Sequence, residues 1–265
     1  MQELTCFKAY DVRGKLGVEV NPDICQRIAQ AFAIVLNTKK VVIGYDARES
    51  SPEIANNVII GLNKQGVEVL NLGMCGTEEV YWATTQFGAC GGIEITASHN
   101  PIEYNGLKMV KANSVPLDPK REFAEIKMLA EKNEFVEKKS SSQITALGST
   151  ARNFYTNKVI SFVDIKLLPK IKVLVNSGNG AAGPTLKFII KRLSELGCRT
   201  EFVLLNEKPD GSFPNGIPNP LVKENQDQTR DAILSQKADI GLAFDGDFDR
   251  CFFCFEFSVF VKIFI

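Results

Sequence analysis

The chain of 265 residues is long enough for one large domain or two of ordinary size, and two are expected. Its 31 Lys and Arg balance 31 Asp and Glu, so no net field draws it to nucleic acid or an anionic membrane, and neither is expected as a partner. The start, MQELTCFKAYDVRG, lacks the cationic and apolar stretches of a secretory signal, which implies a cytoplasmic protein whose seven scattered cysteines stay reduced.

From Lys39 the sequence alternates apolar runs with helical patterns: VVIGYD, SSPEIANNVIIGLNKQG, VEVLNLG, TEEVYWATTQFG and GGIEITAS, a βαβαβ order. Ser51 can cap the first helix, Pro52 suits its first position and Gly66 its end. A further helix, DPKREFAEIKMLAEKN, closes this unit, and the polar stretch EFVEKKSSSQITALGS reads as a linker. After a helix over about 150–163 the pattern returns with KIKVLVN, PTLKFIIKRLSELG, TEFVLLN, KENQDQTRDAILSQKA and ADIGLAF, interrupted by the Gly/Pro-dense loop PDGSFPNGIPNP. The fold class is α/β: two consecutive domains, 1–145 and 146–265, each a mixed, mostly parallel sheet with helices on both faces.

Ligands of open α/β sheets gather at the carboxyl ends of the strands, and three polar stretches fall there: TASHNP, SGNGAAG and DGDFDR. Gly178, Gly180 and Gly183 match GxGxxG between a strand and a helix, with Glu207 ending the next strand where a ribose-binding acid belongs. The competing explanation is a tight turn with no ligand. Asp245, Asp247 and Asp249 place three acids on alternate residues of a turn, where their mutual repulsion calls for a divalent cation; an all-oxygen set with open positions suits Mg²⁺. A solvated turn is the bland alternative. An EF-hand reading, with Glu256 as twelfth residue, fails because Arg250 stands where a glycine is required and a strand precedes the loop. Cys251 and Cys254 form a lone CxxC pair without a second pair or nearby histidines, so ordinary apolar cysteines are expected there.

Ser98 closes a strand, and His99, Asn100 and Pro101 break it into an exposed turn, so the hydroxyl can face a cleft. A lone serine needs an activating base or a charge already placed on it. His99, the only histidine, is a sequence neighbour whose side chain should point to the opposite face of a strand, which makes it a doubtful base. Lys108 follows the turn-forming Tyr104-Asn105-Gly106, where a hairpin can fold it back beside the serine. These residues suggest phosphate handling.

On FKAYDVRGKLG, GYDAR, GMCGTEE, GGIEITASHNP, YNGLK, NSGNGAAGP, PDGSFPNGIPNP and FDGDFDR, in that order, the chain resembles the α-D-phosphohexomutase family, and within it the phosphomannomutase branch. The resemblance implies that Ser98 is a phosphoserine exchanging its phosphoryl group with a hexose phosphate through a hexose 1,6-bisphosphate. Mannose 6-phosphate thereby becomes mannose 1-phosphate, a step toward GDP-mannose. It implies Mg²⁺ held by Asp245, Asp247, Asp249 and the phosphate on Ser98, Lys108 as general acid/base, Arg13 and Arg250 on the transferring charge, and His99 as an orienting group. It also implies that GNGAAG is a structural turn beside the metal loop, which retires the dinucleotide reading.

The family has four domains, and the resemblance here covers two, ending near Arg250. The fifteen residues after it, CFFCFEFSVFVKIFI, are shorter than the about 20 residues of a membrane span and read as a buried strand. A frame truncated or shifted after Arg250 is expected, with weak or no turnover. The alternatives are a catalytically silent remnant or interaction module, and phosphoglucomutase activity. Oligomeric state is left open.

Overall fold

The computed structural model describes residues 2–138, 143–255 and, as backbone, 261–264. The chain divides into two compact units, Met1–Gly148 and Ser149–Ile265.

In the first unit the elements run β1 (Val12–Lys15), α1 (Pro22–Val35), β2 (Lys40–Tyr45), α2 (Ser51–Lys64), β3 (Glu68–Met74), α3 (Thr77–Gln86), β4 (Gly91–Ile95), β5 (Tyr104–Lys111), β6 (Val115–Pro116), α4 (Glu122–Lys132) and β7 (Ile144–Ala146). Their sheet has the order β1-β5-β4-β2-β3-β7, with β6 beside β5. The core β4-β2-β3-β7 is parallel, while β5 runs antiparallel to both β4 and β1.

Strand alternation divides the side chains between two helical layers. Val41, Ile43, Ile93 and Ile95 join Ile28 and Phe32 of α1, Val58 and Leu62 of α2 and Ile126 of α4 in one core. The opposite face takes α3. The consecutive glycines of β4 serve one layer each. A Cβ on Gly91 would meet the ring of Phe32 at 2.6 Å, and one on Gly92 would meet Thr84 Oγ1 at 2.2 Å.

Two features depart from expectation. The stretch read as a linker contributes β7, an edge strand parallel to β3, so Ile144–Ala146 belongs to the first sheet; residues 139–142 lie outside the described residues. Helix α1 has no counterpart in the sequence reading, although Asn21 accepts a hydrogen bond from the Ile24 amide through its side chain and Pro22 opens the first turn.

In the second unit the order is α5 (Gly148–Ile160), β8 (Lys172–Asn176), α6 (Ala182–Glu195), β9 (Glu201–Leu205), α7 (Lys223–Gln236), β10 (Ile240–Phe244), β11 (Arg250–Cys254) and β12 (Val261–Phe264). The sheet runs β12-β11-β10-β8-β9, parallel from β10 to β9 and antiparallel at β11 and β12. Ile233 of α7 packs with Leu174 and Ala243, and the first turn of α6 sets Ala182 and Leu186 against Phe244 and Phe248. Part of the apolar tail is thus strand, with Cys251 and Cys254 buried as free thiols whose pKa burial pushes up to about 12, as suits apolar packing. Glu256, the acid of the EF-hand reading, lies outside the described residues.

Candidate functional site

Each sheet contains a winding reversal. In the first unit β2 is flanked by β3 on one side and β4 on the other, and in the second β8 is flanked by β9 and β10. The crevice at the carboxyl ends of such a strand pair is where this class of sheet binds ligands. Asp46 and Ser98 follow β2 and β4, and Ser177–Ala181 and Asp245–Asp249 follow β8 and β10.

At the first crevice Ser98 is 1% exposed and has φ of +49°, a left-handed conformation. The turn is therefore exposed only beyond the serine, at Pro101 to Glu103. The same backbone corrects the strand-alternation argument. Ser98 and His99 are turn residues, and Ser98 Oγ lies 3.1 Å from His99 Nδ1. Thr96 Oγ1 accepts the Ser98 amide at 2.8 Å and donates to Asp46 Oδ2 at 2.8 Å, while Asp46 Oδ1 accepts from Ser51 Oγ and the Arg48 amide. Burial pushes the Asp46 carboxyl above the ordinary range, with Arg48 and the Ser51 and Thr96 hydroxyls pulling against it.

Arg48, 2% exposed, is the residue the sequence reading missed. Its guanidinium donates to the carbonyls of Ser98 (2.9 Å), Asn100 (2.6 Å), Pro101 (2.9 Å) and Tyr104 (3.1 Å), and its Nε lies 3.4 Å from Asp46 Oδ2. One planar fork thus closes the whole serine loop. The signal for it was GYDAR at the end of a strand, visible but without an assigned partner.

Arg13, on β1, donates to Asn100 Oδ1 at 2.9 Å and to Asp11 Oδ2 at 2.8 Å, so it joins the serine loop. Lys108 sits on β5 across from Glu94 of β4, and its Nζ is 3.5 Å from Thr77 Oγ1 at the start of α3. The hairpin exists, but Tyr104, Asn105 and Gly106 are the first residues of its return strand rather than its turn. Gly106 is needed there because a Cβ would lie 1.9 Å from Val12 O of β1.

At the second crevice Asp245 and Asp247 are fully buried, and with Asp249 they offer carboxylate oxygens all within 4.8 Å of one another. Arg250 pairs with Asp245 Oδ2 and lies 3.4 Å from Asp249 Oδ1, and its amide donates to Asp245 Oδ1. Three hard oxygen donors converging at this span, two of them shielded from water, fit a divalent cation. Phe248, at φ of +43°, turns the loop and lies edge-on to Phe244, ring centroids 6.2 Å apart.

All three glycines of the GxGxxG match are filled by protein. Cβ atoms there would meet Pro218 Cβ at 2.5 Å (Gly178), Gly246 O at 2.7 Å (Gly180) and Glu207 O at 1.9 Å (Gly183). The motif packs against a proline ring and two backbone carbonyls rather than opening a pyrophosphate cradle.

The chain comprises two α/β units, one carrying a clamped serine loop and the other a triple-acid loop, each loop at a winding reversal. The chain belongs to the phosphoglucomutase/phosphomannomutase family: the model of that family's alpha/beta/alpha domain I matches residues 4–137 and that of domain II residues 153–257. Phosphomannomutase of Escherichia coli K12 is 44% identical over 262 residues, covering 99% of this chain and 58% of that protein. Phosphomannomutase of Vibrio cholerae serotype O1 is 42% identical over 267 residues, covering 99% of this chain and 57% of the relative. The crystal structure of a phosphoglucomutase/phosphomannomutase family protein from Burkholderia thailandensis superposes with a TM-score of 0.85 at 30% identity, covering 98% of this chain and 57% of that one. The chain thus spans somewhat over half the length of these relatives. Among the described residues no helix is long and apolar enough to cross a membrane.

Proposed function

We propose that this chain carries the phosphoryl-transfer residues of a phosphohexomutase acting on mannose phosphates. Ser98 bears a phosphoryl group at Oγ and passes it to a free hydroxyl of a hexose monophosphate. The serine Oγ–P bond breaks as the sugar O–P bond forms, and Lys108 takes the hydroxyl proton. The bisphosphate then returns its other phosphoryl group to Ser98, so that mannose 6-phosphate leaves as mannose 1-phosphate. His99, with Nδ1 3.1 Å from Ser98 Oγ, orients the serine oxygen that carries the phosphoryl group, and Arg13 and Arg250 balance transferring charge. Asp245, Asp247 and Asp249 would hold Mg²⁺, which when bound neutralises charge on the phosphoryl oxygens.

The observation that carries this reading is the serine loop. A buried left-handed serine whose amide and carbonyl are both tied down is positioned rather than reactive, and phosphoryl transfer asks mainly for positioning. The test is a coupled assay for mannose 1-phosphate with wild type and Ser98→Ala, beside intact-mass measurement of the chain isolated from cells. A phosphoryl group present in wild type and missing in Ser98→Ala, with turnover lost in the variant, is expected. Equal turnover in the two chains sinks the proposal. Glucose phosphates run in parallel decide between mannose and glucose as the preferred sugar.

A further inference from the structure

The Gly/Pro-dense loop 209–220 lies against the carboxyl ends of β8 and β10, and a carboxamide network ties it to the turn after β8. Asn179, 7% exposed and at φ of +59°, is the hub. Its Nδ2 donates to Lys208 O at 2.9 Å, its Oδ1 accepts from Asn215 Nδ2 at 2.9 Å, its amide donates to Asn206 O at 2.9 Å and its carbonyl accepts the Asp210 amide at 2.9 Å. Every polar group of this one residue is therefore committed to the segment 206–215.

On its other side the same turn abuts the acidic loop. The Ala181 amide donates to Gly246 O at 3.0 Å, and Gly180 lets that carbonyl approach to where a Cβ would be only 2.7 Å away. Gly246 lies between Asp245 and Asp247. Ala181 and Ala182 also pack against Phe248, between Asp247 and Asp249. The backbone joining the three acids is thus seated on Gly180–Ala182, and that turn is in turn held by Asn179.

We infer that Asn179 and Gly180 are positioning residues for the Asp245–Asp247–Asp249 cation site, with the 206–215 segment as their external brace. The inference rests on the metal reading above, since a seat matters only if the carboxylates converge on an ion. Residues that orient metal ligands without touching the metal change its affinity by about 10- to 100-fold when altered.

The test is direct titration with Mn²⁺ alone, followed by the electron paramagnetic resonance signal of the free ion, on wild type, Asp247→Asn, Asn179→Gly, Gly180→Ala and Ser212→Ala. Glycine accepts the left-handed backbone at 179 without strain, so that variant deletes only the side chain. Gly180→Ala pushes a methyl against Gly246 O. Ser212→Ala removes a bond confined to Asp210 within the loop and serves as control. About a tenfold loss of Mn²⁺ affinity in Asn179→Gly and Gly180→Ala is expected, with Ser212→Ala unchanged and Asp247→Asn not binding. Wild-type affinity in Asn179→Gly, with Mn²⁺ binding intact in wild type, overturns the brace alone, and this arm decides even if Gly180→Ala does not fold. An equal loss in Ser212→Ala overturns it too, as a general loosening of the loop. No Mn²⁺ binding by wild type removes both the brace and the metal reading.

Discussion

Arg48 shows how one side chain sets the shape of a site it does not enter. Four carbonyls within seven residues of chain turn toward its guanidinium, and carbonyls so aligned would repel one another without it. Lysine keeps the charge but offers a compact ammonium in place of a planar fork, so it can satisfy at most a few of these acceptors. Arg48→Lys is expected to lower stability by about 3 kcal/mol, the scale for disrupting a buried charged network, read as a shift in urea midpoint at constant slope. A loss under about 1 kcal/mol would show that the loop holds its shape without the fork. Much of this candidate site was legible as residue identity: Ser98, His99 and the three acids stood out as chemistry at strand ends, and Lys108 as a residue a hairpin returns toward them. Geometry was not. Strand alternation put His99 away from Ser98, and a single left-handed φ reversed that, because periodicity says nothing once a residue leaves the strand region. Arg48 stood in the visible GYDAR stretch but was given no role, because most of its partners are main-chain carbonyls, which residue identity does not reveal.

At the scale of elements, the paired glycines of β4 explain why GGIEI is placed where it is. A central strand covered on both faces must admit α1 on one side and α3 on the other, and each glycine removes the one Cβ that would hold a helix away. Thr84 is fully buried and its Oγ1 donates to Val80 O at 2.8 Å, so it cannot swing aside. Gly92→Ala is therefore expected to cost about 1–3 kcal/mol by overpacking, measured by chemical denaturation; a neutral result would mean α3 shifts freely. Helix α4 supplies a pH-dependent case. Glu122 accepts from Lys111 Nζ at 2.7 Å and from the Asp118 amide at 2.9 Å, and these bonds hold its pKa down to about 2. A carboxyl depressed in the folded state contributes stability above its ordinary value of 4.5, lost as pH falls from there toward 2. Glu122→Gln should flatten that part of the stability-pH curve, and an unchanged acid limb would count against the assignment. The elements themselves were read with unequal success for physical reasons. Runs such as VVIGYD are apolar enough to declare a buried strand, whereas β5 begins with Tyr-Asn-Gly, turn residues retained because Asn105 bonds Ser50 and Ser51 and Gly106 must pass under β1. Strand β7 is a three-residue edge in a polar stretch, recognisable only once β3 is there to pair with it.

For the molecule as a whole, the same topological device occurs twice, and in each unit the loops after the two strands at the reversal are bonded to each other: Asp46 to Thr96 in the first, Ala181 to Gly246 in the second. The order of strands and helices that creates these crevices was readable from alternating apolar runs, and so were a return hairpin and a strand in the tail, while the pairing of β5 with β1 was not, since local patterning does not encode which edge a strand joins. The acidic crevice yields a prediction with opposite signs in its two halves. Without a cation, three carboxylates converging on one site repel one another even with Arg250 beside them, so Asp247→Asn should raise the stability of the metal-free chain. With a cation the order inverts. A ligand that binds only the folded state at 100 times its dissociation constant adds about 2.7 kcal/mol, a gain open to wild type and closed to the variant. Thermal unfolding in chelator and in Mg²⁺ should therefore show the two curves crossing: variant above wild type in chelator, wild type above variant in Mg²⁺. If wild type is the more stable in both conditions, Asp247 acts through ordinary hydrogen bonding, and the acids are a structural turn rather than a cation site.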